Sequence, residues 1–228
     1  VGGTGNTLVG YNAGNQLDAS EGNNTFIGHD AGSNADGAEN NTFIGAYAGG
    51  LGVATGNTNV AVGTFAGYDL LAGAGNTLLG YSAGANMTTG ANNVAIGLEA
   101  ADGINGLAHN NITIGARALG GCTATTSNNI AIGTDALTHA SYAAANINLA
   151  IGTDAGIAIT TGTQNVLIGH QAGNAINDDS HNTALGYNAL KAATEGNQNT
   201  AIGSLAMGLG AVTGSSNTCV GYGTGYDL

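Results

Sequence analysis

Thirteen times in 228 residues the chain writes Asn, three further residues and then Gly, and the residue before that Gly is always Val, Ile or Leu. The glycines are Gly10, Gly28, Gly45, Gly63, Gly80, Gly97, Gly115, Gly133, Gly152, Gly169, Gly186, Gly203 and Gly221, spaced by 17, 18 or 19 residues. A short fixed period of this kind predicts a solenoid, in which each repeat is one rung that buries its apolar side only by stacking on its neighbours. At the spacing of paired strands, thirteen rungs make a rod ~60 Å long.

Composition narrows the function. There are 42 Gly, no Pro and no Trp, yet 43% of the residues are hydrophobic and recur in fixed slots, which predicts an ordered core rather than a disordered Gly-rich chain. The formal net charge is −12, and Lys191 and Arg117 are the only Lys and Arg. Neutralising phosphates takes clustered basic residues, so nucleic acid and anionic lipid are not expected partners. No run approaches the ~20 apolar residues of a membrane helix, and no direct membrane insertion is expected of this segment. Cys122 and Cys219 lie six rungs apart, roughly 28 Å along the rod, so they are expected to be free thiols.

Aligning the rungs on the anchor Gly gives columns. Four residues before it stand Asn6, Asn24, Asn41, Asn59, Asn76, Asn93, Asn111, Asn129, Asn148, Asn165, Asn182, Asn199 and Asn217. Asn suits a turn where a strand begins, and stacked amides can bond to one another as a ladder. The three residues between Asn and Gly read as a short strand. The first is mostly Thr or β-branched and the third is always aliphatic (Val9, Ile27, Leu79, Ile132), so this pair is expected to point into the rung. The middle residue is then expected to face outward. It is apolar in most rungs, and Leu8, Phe26, Phe43, Leu78, Leu167 and Cys219 are the candidates for contacts between subunits. Three residues after the anchor, Ala stands in twelve of the thirteen rungs, which predicts a narrow coil. Stretches such as Asn86-Met87-Thr88-Thr89-Gly90 read as an outer strand or loop. A core that thin predicts several chains around a common axis.

The stretches Asn92-Asn93-Val94-Ala95-Ile96-Gly97 and Asn128-Asn129-Ile130-Ala131-Ile132-Gly133 resemble the repeats of trimeric autotransporter adhesin heads of the YadA-like type. Asn41-Thr42-Phe43-Ile44-Gly45 and Asn76-Thr77-Leu78-Leu79-Gly80 are similar to a longer-period cousin in phage tail fibres and bacterial surface fibres. The resemblance covers essentially all of 1–228, read as one repeat array, and departs from the autotransporter pattern in its longer period. It implies a left-handed parallel β-roll, an intertwined homotrimer and an extracellular place on a bacterial surface or a virion.

The last four residues, Gly225-Tyr226-Asp227-Leu228, repeat Gly67-Tyr68-Asp69-Leu70. Segments 47–70 and 205–228 align without gaps at 13 of 24 positions, Leu51 with Leu209 among them. A piece of a longer fibre with a higher-order duplication is therefore expected.

No spacing of His and Cys suits a metal, and the Gly-rich stretches lack the Lys-Ser/Thr of a phosphate loop. Two residues after the anchor an acidic column runs through Asp30, Glu99, Asp135 and Asp154, with Arg117 inside it; a surface charge ladder is expected there in preference to a cation site at Asp135 and Asp154. Directly after the anchor stand Tyr11, His29, Tyr81, His170, Tyr187 and Tyr222, for which stacking along the rod is expected, with contact to a host-cell receptor or glycan as the functional reading. No cofactor and no catalytic group is expected, since a thin rod offers no pocket. The expected function is a structural fibre segment, a head or shaft that attaches or spaces. A self-assembling filament is the alternative. An ice-binding solenoid is less expected, because Thr is read as inward.

Overall fold

The computed structural model describes residues 3–18, 20–50, 54–121, 126–139, 146–192, 195–210 and 212–225. Cys122, Leu51 and Tyr226 to Leu228 lie outside the described residues. The protein is an all-β parallel solenoid without a helix among the described residues. Its strands are β1 (Thr7–Val9), β2 (Thr25–Ile27), β3 (Thr42–Ile44), β4 (Val60–Val62), β5 (Thr77–Leu79), β6 (Val94–Ile96), β7 (Ile112–Ile114), β8 (Ile130–Ile132), β9 (Leu149–Ile151), β10 (Val166–Ile168), β11 (Thr183–Leu185), β12 (Thr200–Ile202) and β13 (Thr218–Val220). They form one sheet in sequence order, every neighbour parallel. Register follows the repeat: Thr7 pairs with Thr25, Leu8 with Phe26 and Val9 with Ile27, so each sequence column becomes a physical row.

Each strand leaves through tight turns. Ala66 N donates to Gly63 O at 3.2 Å and Leu70 N to Gly67 O at 3.0 Å. The turns also bond rung to rung, as where Gly67 N donates to Ala83 O at 2.9 Å. The residue two after each anchor is left-handed whatever its type, with φ from 52° to 59° at Asn12, Asp30, Tyr47, Phe65, Glu99, Arg117 and Leu205 among others. For an L-residue that geometry costs about 1–2 kcal/mol, and the rung-to-rung bonding on both sides of the corner holds it in place. A second left-handed corner falls on the residue before the ladder Asn, as at Asn23, Asn92 and Gln164, and not on the ladder Asn itself.

The expected inside and outside of the strand are exchanged. The middle residue points into the coil: Phe26, Phe43, Leu78 and Leu167 have no exposed surface, and Leu8 and Cys219, in the terminal rungs, are partly buried against the same core. As candidates for contacts between subunits Phe26, Phe43, Leu78 and Leu167 are corrected, because a side chain already enclosed by its own chain has no surface to offer a partner; Leu8 and Cys219 point toward the same core but keep part of their surface. The first and third residues of the strand, with the Thr column among them, form the outer face; Val9 is 56% exposed and Leu79 45%. Thr is therefore outward, against the expectation.

The core is also larger than the narrow coil that is expected. Seven residues after the anchor, Leu17, Leu70, Met87, Ile104, Ile159 and Ile176 are buried, so Met87 is interior within a stretch expected to be an outer loop, while Asn86 beside it is exposed. Four residues after the anchor the side chain trades volume with the strand's middle residue. Where the middle is Phe43 or Leu167, the other position is Gly49 or Gly173, and a Cβ there would lie 2.5 Å or 2.6 Å from that side chain. Where the middle is Thr113, Ala131 or Ala184, the other is Leu119, Leu137 or Leu190, all buried. In those rungs two slots share one large side chain, as close packing demands, whereas at Ala61/Gly67, Ala95/Ala101 and Ala150/Gly156 both are small.

Leu190→Gly is expected to destabilise by about 2–5 kcal/mol and Ala184→Leu by about 1–3 kcal/mol. The double variant exchanges the two volumes and is expected to recover most of that loss in urea unfolding. Additive losses would show that the two slots do not share one volume.

Candidate functional site

The ladder Asn is the most regular polar element. Its Oδ1 accepts the backbone N–H of the Asn one rung on, at 2.9 Å from Asn24 to Asn6, 3.0 Å from Asn111 to Asn93 and 2.9 Å from Asn217 to Asn199. In most rungs its Nδ2 donates across the rung to a backbone carbonyl, as from Asn76 to Gly90 at 2.8 Å and from Asn111 to Thr126 at 2.8 Å, while the buried Nδ2 of Asn182 has no such partner. Amide-to-amide bonds join several steps, as from Asn76 Nδ2 to Asn59 Oδ1 at 3.1 Å. All ladder residues from Asn24 to Asn199 are buried, while Asn6 and Asn217 are half-buried. The anchor Gly closes the strand at φ between 125° and 142°, and a Cβ on Gly97 would lie 2.6 Å from Gly115 O. Both columns build the coil rather than bind a ligand.

The outer sheet face has the character of a binding surface. Two columns, the first and third strand residues, run the length of the sheet. Every member is Thr, Val, Ile or Leu, and none is charged. Val60, Ile112, Ile114, Leu185 and Ile202 are 36% to 44% exposed, and Val220 65%. From strand spacing and rise the face, its Thr residues included, covers roughly 600 Å², the upper end of the size that the largest apolar patch on a monomer ordinarily has. Near β8 to β10 it is flanked by Ile147, 57% exposed and left-handed at φ 60°.

On the flank after the anchor, rings stack along the rod: Tyr11 on His29 with centroids 5.3 Å apart and His170 on Tyr187 at 5.5 Å. The first run goes on through Tyr47 and Phe65, which belong to the next column, and meets Tyr81 edge-on at 6.0 Å. Tyr222 is 78% exposed. In the charged column Arg117 Nε and Nη2 donate to the two oxygens of Asp135 at 2.8 Å and 2.7 Å. That bond, and then the charge of Asp135, hold the guanidinium above its ordinary pKa. With both Asp135 oxygens so engaged, the pair Asp135 and Asp154 is not set up for a cation; Asp154 instead accepts Gln171 Nε2 at 3.3 Å. Partial burial, followed by the charge of Glu99, raises the pKa of Asp102 nearby.

Asp18, Glu21 and Asp36 bring carboxylate oxygens within 4.8 Å of one another. Glu21 is buried and accepts the backbone N–H of Asp18 at 2.9 Å and that of Gly37. Asp18 accepts both Ser20 N and Ser20 Oγ, at 2.8 Å and 2.7 Å, which lowers its pKa. The carboxylates of Asp18 and Glu21 thus cap turns. Cys219 is a free, half-buried thiol, and no described helix is long and apolar enough to cross a membrane. No protein-family model, curated protein or solved structure matches the chain.

Asn111→Ala removes the acceptor of Asn129 N–H and the donor to Thr126 O, two buried groups, and is expected to cost about 3 kcal/mol. Urea unfolding reads the total, and faster hydrogen exchange at the Asn129 amide locates it. An unchanged midpoint would show that the ladder is not what joins the rungs.

Proposed function

We propose that the protein is a structural fibre segment whose outer sheet faces meet those of other copies, three chains around one axis in a left-handed roll, holding an attachment tip away from an extracellular surface. The observation that carries this reading is the uncharged face of Thr and aliphatic residues along all thirteen strands. Its rows repeat at the strand spacing, so a second and third copy of the same rod match it row for row, which few other partners do. The resemblance to adhesin-head and tail-fibre repeats supports the same arrangement. The net charge of −12 stays off this face, on flanks that remain in water.

A second reading follows from the outward Thr column. Thr7, Thr25 and Thr42, and again Thr183, Thr200 and Thr218, give short regular Thr rows suited to ordered water. Between them, from Val94 to Val166, the column is aliphatic throughout. The aliphatic third column, unbroken over thirteen rungs, favours protein over ice. An ice-recrystallisation assay separates the two readings, with no inhibition expected.

Ile96→Asp puts a carboxylate in the middle of the face without touching the core. Sedimentation equilibrium is expected to give three times the chain mass for the parent and a loss of trimer of at least about tenfold for the variant, with circular dichroism unchanged. A monomeric parent would overturn the shared axis.

A further inference from the structure

The first four rungs carry a recess that the repeat alone does not produce. It lies between the second and the fifth residues after the anchor. In the fifth-residue column Gly50 stands between Ser33 and Tyr68 of the neighbouring rungs, so a side chain is missing where the adjacent rungs have one. The backbone is close there: a Cβ on Gly50 would lie 2.9 Å from Asp30 O and 3.1 Å from Tyr47 Cα. Asn12, Asp30, Asn34, Tyr47 and Tyr68 line the recess around Gly50.

One wall is aromatic and braced. Tyr47 stacks on Phe65 with centroids 5.4 Å apart and planes 10° from parallel. Tyr68 stands perpendicular to both, 6.3 Å from Tyr47 and 5.4 Å from Phe65. The other wall is polar and oriented. Asn34 Nδ2 donates to Gly50 O at 3.3 Å, and one oxygen of Asp30 lies 3.0 Å from His29 Nδ1. An aromatic surface beside carboxylate and amide groups is the complement of a sugar ring, which has an apolar C–H side and a rim of hydroxyls. Neither Arg117 nor Lys191 lines the recess, so an acidic sugar would meet the Asp30 carboxylate with no Lys or Arg to offset it.

We propose that this recess binds an uncharged saccharide unit, with Tyr68 against the C–H side, Tyr47 held in the stack between His29 and Phe65 as its edge, and Asp30, Asn12 and Asn34 bonded to hydroxyls. The inference rests on the fibre reading for its biological sense, since it names what such a fibre attaches to. The site itself is complete within one chain.

Saturation-transfer NMR on the full chain tests it. The probes are the methyl glycosides of glucose, galactose, mannose and N-acetylglucosamine, with N-acetylneuraminic acid as the acidic counterpart. Transfer to at least one neutral glycoside is expected, falling about fivefold in Tyr68→Ala and in Asp30→Ala and unchanged in Tyr187→Ala. Asn34→Ala serves in place of Tyr68→Ala should circular dichroism show that variant unfolded. No transfer to any neutral glycoside, equal transfer in the recess variants, or preference for the acidic sugar would overturn the proposal. Sedimentation of the same samples keeps the two readings apart: a trimer that binds no sugar overturns the recess alone, and a monomer that binds sugar overturns the assembly alone.

Discussion

A buried amide accepting the next rung's backbone N–H is the interaction on which the rest of this structure depends. It runs in unbroken steps from Asn6 to Asn217. A short side chain can make that bond only when consecutive rungs sit in register at the spacing of paired strands. The opposite end of each strand meets the complementary restriction, because the anchor Gly approaches the next anchor too closely for a Cβ. Between these two points lie only three residues of strand. Pinned at both ends, the remainder of the rung can change length and composition without disturbing the stack.

That pinning explains features that would otherwise oppose folding. Bulky residues such as Phe65, Arg117 and Leu205 adopt left-handed geometry at a corner where Gly or Asn is the usual occupant. The bonded rungs above and below over-determine the backbone there, so the local cost is carried by the stack. The core shows the same tolerance. A Phe or Leu on the strand and a Leu or Met after the turn occupy the same space in different rungs, and Gly or a small residue stands wherever the partner is large.

Much of this was legible in the sequence. The Asn and Gly columns state the period, the strands and the all-β solenoid, because each is the one residue type that satisfies its slot. The direction of the strand's side chains was not legible. A three-residue strand with apolar residues on both sides has the right alternation but no polar member to mark which side is wet. Phe26 and Phe43 therefore read equally well as outside or inside. Met87 and Ile104 were hidden for a related reason: they follow several turn residues, and turn composition suggests a surface loop even where the coil folds back over its own core. The recess at Gly50 left no signal, since it depends on a Gly in one rung being flanked by Ser33 in the rung before and Tyr68 in the rung after.

By itself the sequence determined the period, the stacking and the uncharged character of the strand residues, all consequences of local hydrogen bonding and backbone sterics repeated thirteen times. Only the tertiary structure decided which face of each strand is core and which is free. That choice is made by the turns: they carry the chain back over the middle residue, and the volume they enclose must be filled by the Phe, Leu or Ala found there. The Thr and aliphatic rows are left outward as a consequence.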